Sequence, residues 1–174
     1  MRRLFLIRHA KAEPSVGRND YDRALTGRGR ADARRVSIAL AERKTLPDVL
    51  LHSGAARAKE TAEIFAAEWK RAIDLIEEPG LYDASPDMLF AIARALADAR
   101  VRVGLVGHNP GLGELATMLA GAGPHSELKR VSAKFPTGAV VGLDFRVRHW
   151  TEIEPGAGEL ALFVTPGELD AEAS

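Results

Sequence analysis

The 174-residue sequence contains no cysteine. That absence excludes a disulfide framework, thiolate-ligated zinc, an iron–sulfur cluster and a thiol nucleophile. The fold must stand on packing, and at this size a single core buries roughly 70% of the unfolded chain's surface, so no covalent staple is needed. Long apolar runs are missing too. Met1-Arg2-Arg3-Leu4-Phe5-Leu6-Ile7 begins like a secretion signal, but Arg8 and His9 end the run. It falls well short of the about 7 to 15 residues such a segment needs. No stretch approaches the ~20 residues of a membrane span. A cytoplasmic protein with no membrane contact is expected. Charge of one sign is not in excess either: 24 Lys and Arg balance 24 Asp and Glu. That balance argues against a nucleic-acid partner held by bulk electrostatics. Repeats and low-complexity tracts are absent.

Neutrality is an average over an uneven chain. Residues 1–44 carry twelve Lys and Arg against five Asp and Glu, whereas residues 149–174 carry six acids and no base. Two readings fit this asymmetry. One is arginine-rich helix surfaces followed by a solvated acidic tail. The other is an anion site built from the N-terminal part.

What is present is a regular alternation of apolar runs and helical patterns. Arg3 to Ile7 reads as a strand buried on both faces. A polar loop, Pro14 to Leu25, precedes a helix from Thr26 to about Arg43 with Ala33, Val36 and Leu40 on one face. Asp48 to His52 is the next strand, followed by a helix from Ala55 to Trp69. Ala72 to Ile76 is a short third strand. Ser85-Pro86-Asp87 has helix-start chemistry, with Leu89, Ile92, Ala93 and Leu96 behind it. Val101 to Val106 is a β-branched strand leading into Gly107-His108-Asn109-Pro110. There Asn109 reads as N-cap and Pro110 as the first residue of a helix striped by Leu112, Leu115, Ala116 and Leu119. Ala139 to Phe145 and Glu159 to Val164 are the last strands. The pattern predicts one domain over residues 1–174, with about 167–174 a frayed acidic tail. The predicted fold is a three-layer α/β/α arrangement around a central, mainly parallel sheet.

In such sheets ligands bind beyond the carboxyl ends of the strands, where helix N-termini also point. Arg8 and His9 follow the first strand, Ser53 and Arg57 the second, Asp83 the third and His108 the fourth. Two histidines, two arginines and a carboxylate are thereby sent to one sheet edge. These residue types suit phosphoryl transfer. The moving group keeps its negative charge, arginine's planar fork matches its oxygens, and neutral imidazole is a competent nucleophile toward phosphorus. No Walker-type loop and no acid cluster for a divalent metal are present, so no metal or other cofactor is expected. His52 reads as a packed or edge residue, His125 as exposed or at a rim in the loop following Gly121-Ala122-Gly123-Pro124, and His149 beside Trp150 as structural. Asp20, Asp22 and Arg23 read as loop-fixing residues rather than substrate contacts. Glu168, Asp170 and Glu172 belong to the tail.

Several segments resemble a known family. They are Arg8-His9-Ala10 after the first strand, Arg23-Ala24-Leu25-Thr26 with Gly29, Ser53-Gly54-Ala55-Ala56-Arg57-Ala58 with Thr61-Ala62, and Val106-Gly107-His108-Asn109-Pro110-Gly111. Together they are similar to the histidine phosphatase (phosphoglycerate mutase-like) superfamily, and within it to the short SixA-like phosphohistidine phosphatase group. Phe135-Pro136-Thr137-Gly138-Ala139, Trp150 and Thr165-Pro166 extend the likeness over most of the chain. The resemblance implies a metal-free, two-step hydrolysis with His9 as nucleophile. Arg8, Arg57, His108 as an imidazolium, and Asn109 would hold the phosphoryl group. It departs from the pattern of the mutases and small-molecule phosphatases in two places. Lys11-Ala12-Glu13 follows the first motif, and the motif carrying those enzymes' general-acid glutamate is absent. Asp83, within Leu81-Tyr82-Asp83-Ala84-Ser85, is either the acid or a turn residue. A phosphorylated protein side chain, for instance on a histidine phosphotransfer domain, is therefore the expected substrate. A small phosphorylated molecule and a non-catalytic phosphate-binding module are the alternatives.

Overall fold

A computed structural model describes residues 1–174. Seven strands and six helices form three layers. The strands are β1 (Arg2–Arg8), β2 (Val49–His52), β3 (Asp74–Glu77), β4 (Arg102–Gly107), β5 (Ala120–Ala122), β6 (Val140–Phe145) and β7 (Gly158–Val164). They lie in one sheet in the order β3-β2-β4-β1-β6-β7-β5. β1 pairs in parallel with β4, β4 with β2 and β2 with β3, while β6 runs antiparallel between β1 and β7. The expected mainly parallel α/β sheet is what forms. No helix is long and apolar enough to cross a membrane.

The period-two alternation along β1 divides its side chains between two cores. Leu4 and Leu6 point to one face with Val103, Leu105, Val141 and Leu143. Helices α3 (Pro86–Arg94), α4 (Gly111–Leu119) and α5 (His125–Ala133) cover that face through Leu89, Leu112, Leu115 and Val131. Phe5 and Ile7 point to the other face with Leu50, Val106 and Val140. There α1 (Gly27–Glu42) and α2 (Ala56–Glu68) supply Val36, Leu40, Ala58, Ala62 and Phe65. Burial on both faces accounts for the unbroken apolar reading of β1.

Two glycines let backbones meet near the sheet edge. A Cβ at Gly29, in the first turn of α1, would lie 2.1 Å from the Lys11 carbonyl oxygen. One at Gly111, the first residue of α4, would lie 2.0 Å from the Ala84 carbonyl oxygen. The absent side chains hold the segment after β1 and the segment around Asp83 against helix starts.

Four expectations are corrected. Residues 167–174 are not a frayed tail. Pro166–Glu172 form helix α6, started by a Thr165 and Glu168 capping box. It docks through Leu169 and through Asp170, which pairs with Arg28 and Arg35 of α1. The acids were legible as charge, but their arginine partners lie far away in sequence. The stretch following Gly121 is not a loop to its end, because β5 and α5 occupy it. His125 is the first residue of α5. The cap of α4 is Pro110 rather than Asn109, whose side-chain oxygen instead accepts from the Gly113 N–H at 3.1 Å. β3 begins at Asp74 rather than Ala72, and all four of its residues are exposed on the sheet edge.

Candidate active site

Strand register assembles the site. Arg8 pairs with Gly107 and His52 with Val106, so the residues that follow, His9, His108 and Ser53, emerge side by side where β1, β4 and β2 end. The His9 N–H donates to the Gly107 carbonyl at 3.1 Å, fixing the two segments against each other. Arg57, in the first turn of α2, reaches back over the same edge. Here the chain opens a polar cleft of about 490 Å³ lined by Arg8, His9, Arg57 and His108, and also by Lys11, Asp20, Arg23, Tyr82, Asp83, Asn109 and Thr137. Of the residues expected at this edge, Arg8, His9, Arg57, Asp83, His108 and Asn109 line it, whereas Ser53 is fully buried and bonded to His108.

The nucleophile candidate is oriented on both sides. His9 Nδ1 lies 2.7 Å from the Ala10 carbonyl oxygen, which can only accept, so Nδ1 carries the proton and Nε2 the lone pair. Arg57 Nε donates to that Nε2 at 3.3 Å. Burial, with His108, Arg57 and Arg8 nearby, pushes the His9 pKa down to about 3. His9 is therefore neutral across the physiological range, as a nucleophile requires.

His108 sits with its ring 5.1 Å from that of His9, and its Nε2 lies 2.7 Å from Ser53 Oγ. Burial first, and then Arg57, push its pKa down to about 4, with Asp20 opposing them. In the free protein His108 is thus neutral, because burial beside guanidinium groups outweighs the opposing pull of Asp20; the imidazolium expected when a phosphoryl group is held concerns the occupied site. Arg8 donates through Nη1 to the Phe135 carbonyl at 2.9 Å, and burial lowers its pKa. Arg8 Nε and His108 Nδ1 are buried and have no hydrogen-bond partner within the protein. Buried polar nitrogens of this kind call for an explanation, and a bound anion supplies one.

Asn109 lines the cleft, but its side chain braces neighbouring backbone, with the amide on the Phe135 carbonyl at 2.9 Å and the oxygen on Gly113. Asp83 is exposed on the wall at φ 50°. Asp20 was read as loop-fixing, and it does tie the loop through Arg23. It is also joined to Arg57 and Tyr82 inside the cleft. Nothing local signalled that link, since Asp20 and Arg57 are separated by 37 positions. Of the other histidines, His52 is buried and accepts from the Gly54 N–H, and His149 pairs with Asp98. No cluster of three or more His, Cys, Asp or Glu residues could hold a metal ion.

A polar, arginine-lined cleft with a paired-histidine centre, at the carboxyl edge of a largely parallel sheet, fits a class of protein that handles phosphoryl groups. Comparison with known proteins gives the family. The family model of the histidine phosphatase superfamily (branch 1) matches residues 4–87. The chain belongs to the histidine phosphatase superfamily, whose activities are of phosphatase and mutase type. It is 32% identical over 168 residues to the uncharacterized protein Rv1276c of Mycobacterium tuberculosis, a match covering 92% of this chain and 99% of that one. A solved structure from Agrobacterium tumefaciens, provisionally named phosphohistidine phosphatase SixA, is 29% identical with a TM-score of 0.77 over 95% of this chain and 98% of its own. The protein histidine phosphatase SixA in complex with tungstate has the same TM-score at 21% identity, over 96% of this chain and 99% of its own, and so supports the fold.

Proposed function

We propose that the protein is a metal-free phosphatase that hydrolyses phosphohistidine on a protein through a phosphorylated His9. The observation that carries this is the pairing of an oriented, neutral nucleophile with unpartnered nitrogens around it. His9 Nε2 carries the ring's lone pair, engaged only by the 3.3 Å contact from Arg57 Nε, and Arg8 Nε and His108 Nδ1 lack partners within the protein.

In the first step the His9 Nε2 lone pair attacks phosphorus as the P–N bond to the substrate ring breaks, and that ring, protonated on its other nitrogen, takes the electron pair and leaves as neutral imidazole. Arg57 Nε gives up its contact with Nε2 and donates to a phosphoryl oxygen. Arg8 and Arg57 stabilise the charge that spreads over the equatorial oxygens in the transition state. The dianion also restores a counter-charge beside His108, raising its proton affinity so that it donates as an imidazolium. In the second step water attacks phosphorus, the P–N bond to His9 breaks, and phosphate leaves.

Two features favour phosphohistidine over a phosphate monoester. Of the two carboxylates lining the cleft, Asp20 is tied to arginines, which leaves Asp83 as the available acid. That carboxyl lies exposed on the cleft wall. An imidazole leaving group accumulates little negative charge, so it needs little help from an acid. The 174 residues also leave little chain for a lid, and an unlidded cleft suits a side chain presented on a protein surface. Turnover of a histidine-phosphorylated protein, free phosphoramidate, p-nitrophenyl phosphate and a sugar phosphate, each with and without EDTA, tests this. The phosphoprotein should be turned over with the highest kcat/KM, unchanged by EDTA. Turnover of the esters alone would overturn the substrate assignment, and loss in EDTA would overturn the metal-free mechanism.

A further inference from the structure

Arg57 is gripped at its far end by a single residue of the loop between β1 and α1. Its Nη1 donates to the Asp20 backbone carbonyl at 2.7 Å and its Nη2 to Asp20 Oδ2 at 3.0 Å. The same carboxylate accepts from Tyr82 Oη at 2.7 Å and from Arg23 Nε at 2.9 Å. Asp20 itself stands in a one-turn helix, Asp20–Asp22, capped by the Asn19 side chain. The loop is pinned at its base. The Leu25 N–H donates to Glu60 of α2 at 2.9 Å, Ala12 bridges Leu25, and Arg23 Nη1 holds the Glu13 carbonyl at 2.9 Å.

We propose that Asp20 is a positioning residue for phosphoryl transfer, acting through Arg57. With both Nη atoms engaged by Asp20, only the Nε edge of the guanidinium faces the nucleophile, at 3.3 Å from His9 Nε2. A phosphoryl oxygen attached to phosphorus in line with that lone pair meets Nε–H without any rearrangement of the side chain. Free of Asp20, Arg57 would sample many rotamers, and the orientation would have to be found anew in each turnover. Asp20 is unsuited to act as the acid, because Tyr82, Arg23 and Arg57 hold its carboxyl well below the usual carboxylate range. Tyr82, whose ring stands edge-on to His108 at 5.4 Å, donates to the same carboxylate oxygen as Arg57 Nη2.

This role rests on the phosphatase function proposed above. The test is steady-state turnover of phosphoramidate by wild type, Asp20→Asn, Asp20→Ala, Tyr82→Phe, Arg57→Ala and the Asp20→Ala/Arg57→Ala double variant. Asp20→Ala should lower kcat on the order of 10- to 100-fold with a smaller change in KM, and Asp20→Asn and Tyr82→Phe should lose less. Once Arg57 is absent, Asp20→Ala should change kcat by less than about twofold, since residues acting as a unit are not additive. Full single-variant activity, or losses that multiply in the double variant, would overturn the role of Asp20. If Asp20→Ala fails to fold, Tyr82→Phe with and without Arg57→Ala provides the same comparison. If wild type and Arg57→Ala turn over equally, the phosphatase mechanism itself fails, which is a separate result.

Discussion

Lowering the pH from 7 to 5 should destabilise the fold by up to about 4 kcal/mol, with the two cleft histidines as the main source. In the unfolded chain each titrates at its ordinary value of 6.5, whereas in the folded protein His9 sits at about 3 and His108 at about 4. Between those values the unfolded state binds the extra protons. Stability is therefore full above pH 6.5 and falls as pH drops toward 4. From pH 7 to 5 each site contributes about 2 kcal/mol, taking 1.36 kcal/mol per pKa unit. The sum is an upper figure because His108 is only partly buried. Against a typical domain stability of about 5 to 15 kcal/mol it is a large effect. His52, also shifted downward by burial, adds to it in the same direction. Urea denaturation at pH 7, 6 and 5 measures the slope, and His9→Gln and His108→Gln should each remove up to about half of it. Histidine ring resonances of the folded protein give the site values directly. A slope that survives in both variants, or a cleft histidine titrating near 6.5, would refute the account of burial and charge.

Other outcomes can be checked alongside. Arg57→Ala should lower kcat on the order of 10² to 10³-fold in a phosphohistidine turnover assay, as for other preorganised charge stabilisers. Asp83→Asn should change phosphohistidine hydrolysis by less than about threefold, yet slow any ester with a poor leaving group on the order of 10²-fold. Gly111→Ala should lower stability by about 1 to 3 kcal/mol in thermal unfolding, because its Cβ would lie 2.0 Å from the Ala84 carbonyl oxygen.

Much of this was legible in the sequence. The apolar runs of β1 and β4 and the Ser85-Pro86 cap are local signals, and they mark elements whose order dictates a parallel sheet. Once the strands are known, Arg8, His9, Arg57 and His108 fall at one edge without further information. What escaped was non-local. The start of helix α6 is local, in Thr165, Pro166 and Glu168, but its docking through Asp170 onto Arg28 and Arg35 is not. The grip of Asp20 on Arg57 joins a loop to a helix start 37 residues on. The neutral state of His108 in the free protein is non-local for the same reason, since burial and neighbouring guanidinium groups are properties of the assembled cleft.

The central claim is that phosphate passes through His9. Brief reaction with a phosphohistidine substrate, quenched in base and followed by peptide mass analysis, tests it most directly. The account predicts a phosphorylated peptide with the modification on His9, absent in His9→Ala. Phosphate carried on His108 or elsewhere, or turnover that persists in His9→Ala, would contradict it.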